Sequence, residues 1–271
     1  MLTSIRGLTA ATFVTGLALS AAPALADEAI VLDTAAQSAD FDRAVASYNA
    51  GEASNVSADA GFELSANVAL VNDYRFRGVS LSGGELAIQG GFDVSHSSGL
   101  YVGTWASSLE EDLGYGSTEL DIYGGWSGDL SEGISADIGL LYYAYFDAPA
   151  GDFDYLEAYS SLGFTFGPAE ATVGVAYAWD QDSLGDTDNL YIYTDLGMGI
   201  ADTPLSVSAH LGYTDGFLTF TADGDAFDYS VGLDYAVTDT LSLGVAYTGM
   251  EGPSIKDLTD DSIVVSLSAS F

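Results

Sequence analysis

Ser262-Ile263-Val264-Val265-Ser266-Leu267-Ser268-Ala269-Ser270-Phe271 closes the chain. Ile263, Val265, Leu267, Ala269 and Phe271 share one parity, against Ser266, Ser268 and Ser270 on the other. Successive side chains of a β-strand point to opposite faces of its sheet, so this alternation predicts a strand with one apolar and one polar face. The same period recurs upstream in twelve runs, at roughly 62–77, 85–94, 100–107, 119–126, 134–145, 155–166, 171–179, 189–200, 205–213, 227–237, 241–248 and 262–271. In the fifth, Ile134, Ala136, Ile138, Leu140, Tyr142 and Ala144 share a face, although Leu141, Tyr143 and Tyr145 intrude on the polar parity. In the tenth, Phe227, Tyr229, Val231, Leu233, Tyr235 and Val237 do so. The third run reads either way, with Tyr101, Gly103 and Trp105 or Val102, Thr104 and Ala106 facing out.

A soluble sandwich turns such an apolar face inward, whereas a membrane barrel turns it to lipid and encloses the polar face. Three features favour the membrane. Connections between runs alternate in length: the even ones span about 5, 7, 4, 4 and 3 residues and the odd ones about 7, 11, 9, 9, 13 and 13, as periplasmic turns and extracellular loops do. Aromatics on the apolar parity gather near run ends, with Phe76, Tyr142, Phe146, Tyr177, Trp179, Tyr213 and Tyr247 by the long loops. Trp126, Phe164, Phe166, Tyr235 and Phe271 lie by the short turns, so the two sets read as interfacial girdles. Finally, Phe271 ends the chain inside a strand, as expected of an outer-membrane assembly signal. Residues 61–271 are therefore expected to form an all-β, antiparallel, up-and-down transmembrane β-barrel of about 12 strands. Closure satisfies every backbone group, as lipid requires.

Arg6, the apolar stretch Leu8–Leu19 and Ala24-Leu25-Ala26 read as a signal peptide over 1–26, too short to span as a helix. Residues 27–60, rich in Ala, Ser and Asp, read as a flexible periplasmic extension with a short helix possible at 40–49. Cysteine is absent, which excludes disulfides and thiolate metal sites. Net charge is −35 over the whole chain, and 4 − 40 = −36 once Arg6 is removed. That balance argues against nucleic acid as a partner and against docking on anionic headgroups through a basic face.

Val71-Asn72-Asp73-Tyr74-Arg75-Phe76-Arg77-Gly78-Val79-Ser80, Ile88-Gln89-Gly90-Gly91-Phe92-Asp93 and Gly99-Leu100-Tyr101-Val102-Gly103 resemble the opening block of the TorF-family porins. These are proteobacterial outer-membrane barrels of poorly defined function. The resemblance covers about 65–107 and departs at Asn72 and in the 81–85 loop. It implies a pore or transport function and carries over no catalytic residue.

Lumen parity takes in Asp73, Arg75, Arg77, Glu85, Asp93, Glu119, Asp121, Asp137, Glu157, Asp195, His210, Asp228 and Asp234, with Phe76 opposite them on the lipid parity. Charged rings set ion selectivity, so an acidic lumen biased by Arg75 and Arg77 near the outer mouth predicts passive diffusion of cations or small polar solutes. The competing expectation is a non-conducting structural or partner-binding barrel whose interior is a salt-bridge network, since twelve strands fall between filled and open barrels. An outer-leaflet enzyme is the third reading. His210 has Ser206 and Ser208 beside it, but that spacing is the strand's polar face, and His96 falls in a turn. No catalytic, cofactor or metal residue is assigned. Residues 180–188 half-resemble a calcium loop but lack its ligands at Leu184 and Tyr191, and read as a solvated acidic loop. The expected partners are outer-membrane lipid, the assembly machinery acting on the last strand, and the diffusing ions or solutes.

Overall fold

The structure, a computed structural model, describes residues 61–151, 153–219 and 221–271, together with the backbone of two short strands, Ala18–Ala21 and Ile30–Asp33. Those two strands pair antiparallel, with Ala18 opposite Asp33. The signal peptide expected at 1–26, the extension at 27–60 and its helix otherwise lie outside the described residues.

Twelve strands form one closed barrel. They are β1 (Phe62–Val71), β2 (Ala87–His96), β3 (Leu100–Ser108), β4 (Thr118–Ser131), β5 (Ile134–Phe146) and β6 (Tyr155–Phe166). The wall continues with β7 (Ala169–Gln181), β8 (Thr187–Gly199), β9 (Leu205–Gly216), β10 (Asp225–Ala236), β11 (Leu241–Met250) and β12 (Ser262–Ser270). Each strand pairs antiparallel with its sequence neighbours, and β12 closes on β1 from Ser266↔Val71 to Ser270↔Asn67. Phe271 extends that seam: its N–H donates to Ala66 O at 2.8 Å and its carbonyl accepts from Ala66 N at 3.0 Å. No sheet edge is left in the wall.

The two faces decide the setting. Ile88, Val102, Ile122, Ile138, Val173, Ile192, Val231, Val245 and Ile263 point outward and are exposed, while the alternate residues, many of them charged, are buried inside. A water-soluble barrel would pay to expose such a belt and to bury such charges; in a membrane the outer belt meets hydrocarbon. The girdle residues Tyr142, Phe146, Tyr177, Trp179 and Tyr247 are exposed towards the long-loop end, and Phe166, Tyr235 and Phe271 towards the other. Short connections at 97–99, 132–133 and 167–168 alternate with long ones at 109–117, 147–154 and 251–261. The contrast vanishes for 182–186 and 200–204, because β7 and β8 extend beyond the predicted runs.

Three details depart from expectation or resolve it. The third run places Val102 outward and Trp105 inward. The first run leaves the wall at Val71, so Phe76 is buried inside the barrel and does not join the girdle. Glu85 lies in the connection to β2 and is exposed, not lumenal.

Candidate functional site

The departure at Asn72 creates the site. Asn72 N donates to Val265 O at 3.1 Å, and its side-chain amide donates to Ile263 O at 3.1 Å and accepts from Val265 N at 2.6 Å. The side chain thus continues the β1–β12 ladder where the backbone abandons it. Residues 73–86 then fold into the barrel. Arg75–Phe76 pairs with Val79–Ser80 in a hairpin. Its turn residues have positive φ, 47° at Arg77 and 81° at Gly78, as a two-residue type I′ turn requires. Arginine at such a φ costs about 1–2 kcal/mol, which the contacts of its side chain must offset. Gly78 answers a close approach as well: a Cβ there would sit 2.7 Å from Met250 Cβ.

Both arginines are paired inside the barrel. Arg75 Nε donates to Asp73 Oδ2 at 2.7 Å, and Nη1 donates to Asp260 O at 2.7 Å and Gly78 O at 3.1 Å. Ser80 Oγ donates to the other Asp73 oxygen at 2.6 Å. Arg77 Nη2 spans the lumen to Glu157 on β6, 2.8 and 2.9 Å from its two oxygens. The same guanidinium lies 4.2 Å from the Tyr191 ring centre and 4.8 Å from that of Phe76. Tyr74 OH donates to Glu119 at 3.2 Å. Main-chain bonds pin the hairpin to the loops, from Ser80 N to Leu258 O at 2.7 Å and from Glu110 N to Leu81 O at 3.0 Å.

The wall residues expected on the lumen parity do point inward. Asp93, Glu119, Asp121, Asp137, Glu157, Asp195, His210, Asp228 and Asp234 are all buried. Buried carboxylates demand hydrogen-bond donors, and tyrosines supply several of them: Tyr123 OH to Asp93 at 2.5 Å and Tyr101 OH to Asp137 at 2.8 Å, with Tyr101 also bonded to Tyr159 OH. His210 bridges two acids, Nδ1 to Asp195 at 2.6 Å and Nε2 to Asp228 at 2.9 Å, with Tyr191 OH 2.8 Å from Nε2. Both ring nitrogens are therefore occupied by a brace across β8, β9 and β10, and its partners do not include Ser206 or Ser208. His96 sits at the short-turn end against Ser98 Oγ and the Phe62 ring.

Sequence reasoning missed how the tyrosines fit. Tyr123, Tyr159 and Tyr193 each face a glycine across the ladder, at Gly103, Gly139 and Gly174. Each glycine lies under the partner's ring, where a Cβ would collide with it. The signal was legible as inward-parity Gly–Tyr pairs, but only once register is known.

Around the insert, inward residues such as Leu141, Tyr143, Ala176, Asn189 and Val264 are fully buried. Towards the short turns Ser135, Thr172 and Ser206 are also fully buried, while Asn67, Tyr101, Thr165 and Ser208 are half-buried. Among the described residues no group of three or more His, Asp or Glu side chains could hold a metal ion.

This architecture, a closed twelve-strand wall with an apolar exterior and an ionic interior, is the porin-type barrel fold. Among solved structures it is similar to the NanC porin, with TM-score 0.53 and 11% identity over 77% of this chain and 99% of that one. It is also similar to the KdgM porin solved with disordered oligogalacturonate, with TM-score 0.52 and 5% identity over 77% and 97%. At such identities the likeness is one of fold. Residues 55–271 match the family described as "Bacterial protein of unknown function (Gcw_chp)", and the chain belongs to that family. No curated protein matches it.

Proposed function

We propose that the protein is a porin-like channel of the bacterial outer membrane, related to the TorF-family porins, through which cations and small polar solutes diffuse passively. The observation that carries this reading is the inward array of carboxylates in a closed barrel, Asp93, Asp121, Asp137, Asp195 and Asp234 among them. Fixed negative charge in a low-dielectric passage favours cations. The insert is the natural gate, because it crosses the interior from the end of β1 to the facing wall, where Arg77 meets Glu157 on β6. Export through residues 1–26 and recognition of the β12–Phe271 end by the assembly machinery complete the reading. Purified protein in planar bilayers should give conductance steps whose reversal potential in a KCl gradient lies on the cation side. A silent bilayer overturns the channel, and anion preference overturns the electrostatic filter.

One observation favours a second reading, a non-conducting structural barrel: Arg75 and Arg77 are only 1% and 3% exposed, so the insert is built into the interior like a core. In that case the Arg75→Ala/Arg77→Ala variant loses folding stability and stays as silent as the parent.

A further inference from the structure

A cavity of about 330 Å³ lies at the long-loop end, on the outer side of the insert. Phe76, Val79 and Leu81 of the insert contribute to it, with Tyr145 and Tyr155 from the barrel wall. Four loops complete it with Tyr115, Phe153, Leu184 and Phe217. Its volume is at the small end of the ~300–1,000 Å³ typical of ligand sites, and its mostly apolar lining with a few hydroxyls matches their usual chemistry.

The rings are held before any ligand arrives. Tyr115 packs edge-on to Phe153 with centroids 5.1 Å apart, and 6.0 Å from Tyr145. Tyr155 stacks on Tyr143 at 4.4 Å. Leu218 N donates to Asn189 Oδ1 at 2.9 Å, anchoring the loop that carries Phe217. Burial raises the Tyr115 phenol above its ordinary value, so it stays neutral and keeps its proton as a donor.

Charge narrows the occupant. Among the described residues, no lining residue is ionisable as an acid or a base other than the tyrosine phenols. Arg77, against the Phe76 ring, is neutralised by Glu157, and the flanking loop residues are acidic. Asp182 and Asp186 bracket Leu184, and Glu110, Glu111 and Asp112 precede Tyr115. Asp154 lies between Phe153 and Tyr155, accepting from Tyr145 N at 2.8 Å and Tyr142 OH at 2.7 Å. Anions are repelled at such a mouth. A primary ammonium, which is strongly hydrated, would find hydroxyl oxygens but no carboxylate among the described lining residues to replace its water. Ring faces instead attract a cation that needs no hydrogen bonds. We infer that the outer mouth holds a binding site for a small apolar organic cation without N–H donors, such as a quaternary ammonium on an aromatic body. The site is a property of the loops and insert, independent of whether the barrel conducts.

The full-length protein in detergent micelles can be titrated calorimetrically with phenyltrimethylammonium, its neutral isostere tert-butylbenzene and benzenesulfonate, each against empty micelles. Saturable one-to-one binding of the cation is expected, about tenfold tighter than the neutral isostere, with no binding of the sulfonate. Phe153→Ala and Phe217→Ala should each weaken it, and folding of both variants is checked by the heat-dependent shift of the barrel on gels. Equal binding of the neutral isostere, or binding of the sulfonate, overturns the cationic assignment. No saturable binding overturns the site, and undiminished binding by both folded variants overturns its location.

Discussion

Arg77, at the tip of the hairpin that follows β1, sets its Nη2 2.8 Å from Oε1 of Glu157 on β6, across the barrel interior. Both side chains are buried. A buried pair of this kind contributes modestly beyond what an apolar filling would, yet losing one partner costs about 3–5 kcal/mol, because the other charge is stranded. The pair therefore acts as a latch: removing one charge strands the other and loosens the strained turn at Arg77.

Glu157→Gln keeps the shape and removes the counter-charge. The insert should loosen by about 3–5 kcal/mol, and bilayer recordings should show larger or more frequent openings than the parent. Replacing both partners, Arg77→Met with Glu157→Met, should restore the parent's conductance, since neither charge is then stranded. If Glu157→Gln conducts as the parent does, the pair is not the latch.

Asn72 marks where the sequence stopped being legible. Period 2 continues unbroken through Asp73, Arg75 and Arg77, so a strand to residue 77 was the natural reading. What ends β1 is the amide of Asn72 bonding to Ile263 and Val265 on β12, a residue pair far apart in sequence. No local pattern carries that information. The parity assignment nonetheless placed the three charges inside, because the hairpin that replaces the strand also lies in the lumen. Phe76 had the opposite fate, since a parity argument holds only while a residue stays in the wall. Elsewhere each strand touches its sequence neighbours, so the alternation of residues such as Val231 and Asp234 was enough to assign their sides.

Asn72→Ala should remove two side-chain hydrogen bonds at the seam and leave Val265 N and Ile263 O without those partners. A loss of about 1–3 kcal/mol is expected locally. Hydrogen exchange would register it as faster exchange of the Val265 amide, with amides of β6 and β7 unchanged. Equal protection of Val265 in both proteins would mean that the amide clamp does not hold the seam.

His210→Leu should destabilise the barrel by about 2–6 kcal/mol, because Asp195 and Asp228 each lose a donor that burial makes costly to replace. The thermal transition followed by heat-dependent gel migration should fall accordingly. Lipid or peptide hydrolysis by purified protein should be at background for parent and variant alike. Activity in the parent that disappears with His210 would revive the enzyme reading.

Val231 and Thr238 test which medium the outer face meets. Val231 lies in the middle of β10, points outward and is 61% exposed, whereas Thr238 sits in the turn after that strand. If the outer belt faces hydrocarbon, Val231→Arg brings a guanidinium to the bilayer interior and costs about 2–4 kcal/mol, while Thr238→Arg at the interface costs about 0–1. If the belt faced water, an arginine at either position would be nearly neutral, since surface substitutions usually stay within about 0.5 kcal/mol. Reversible urea unfolding from lipid vesicles measures both. A depth-dependent penalty, large at residue 231 and small at 238, is the signature of a membrane-spanning wall. Equal midpoints for the two variants would require the apolar belt to be covered by something other than lipid.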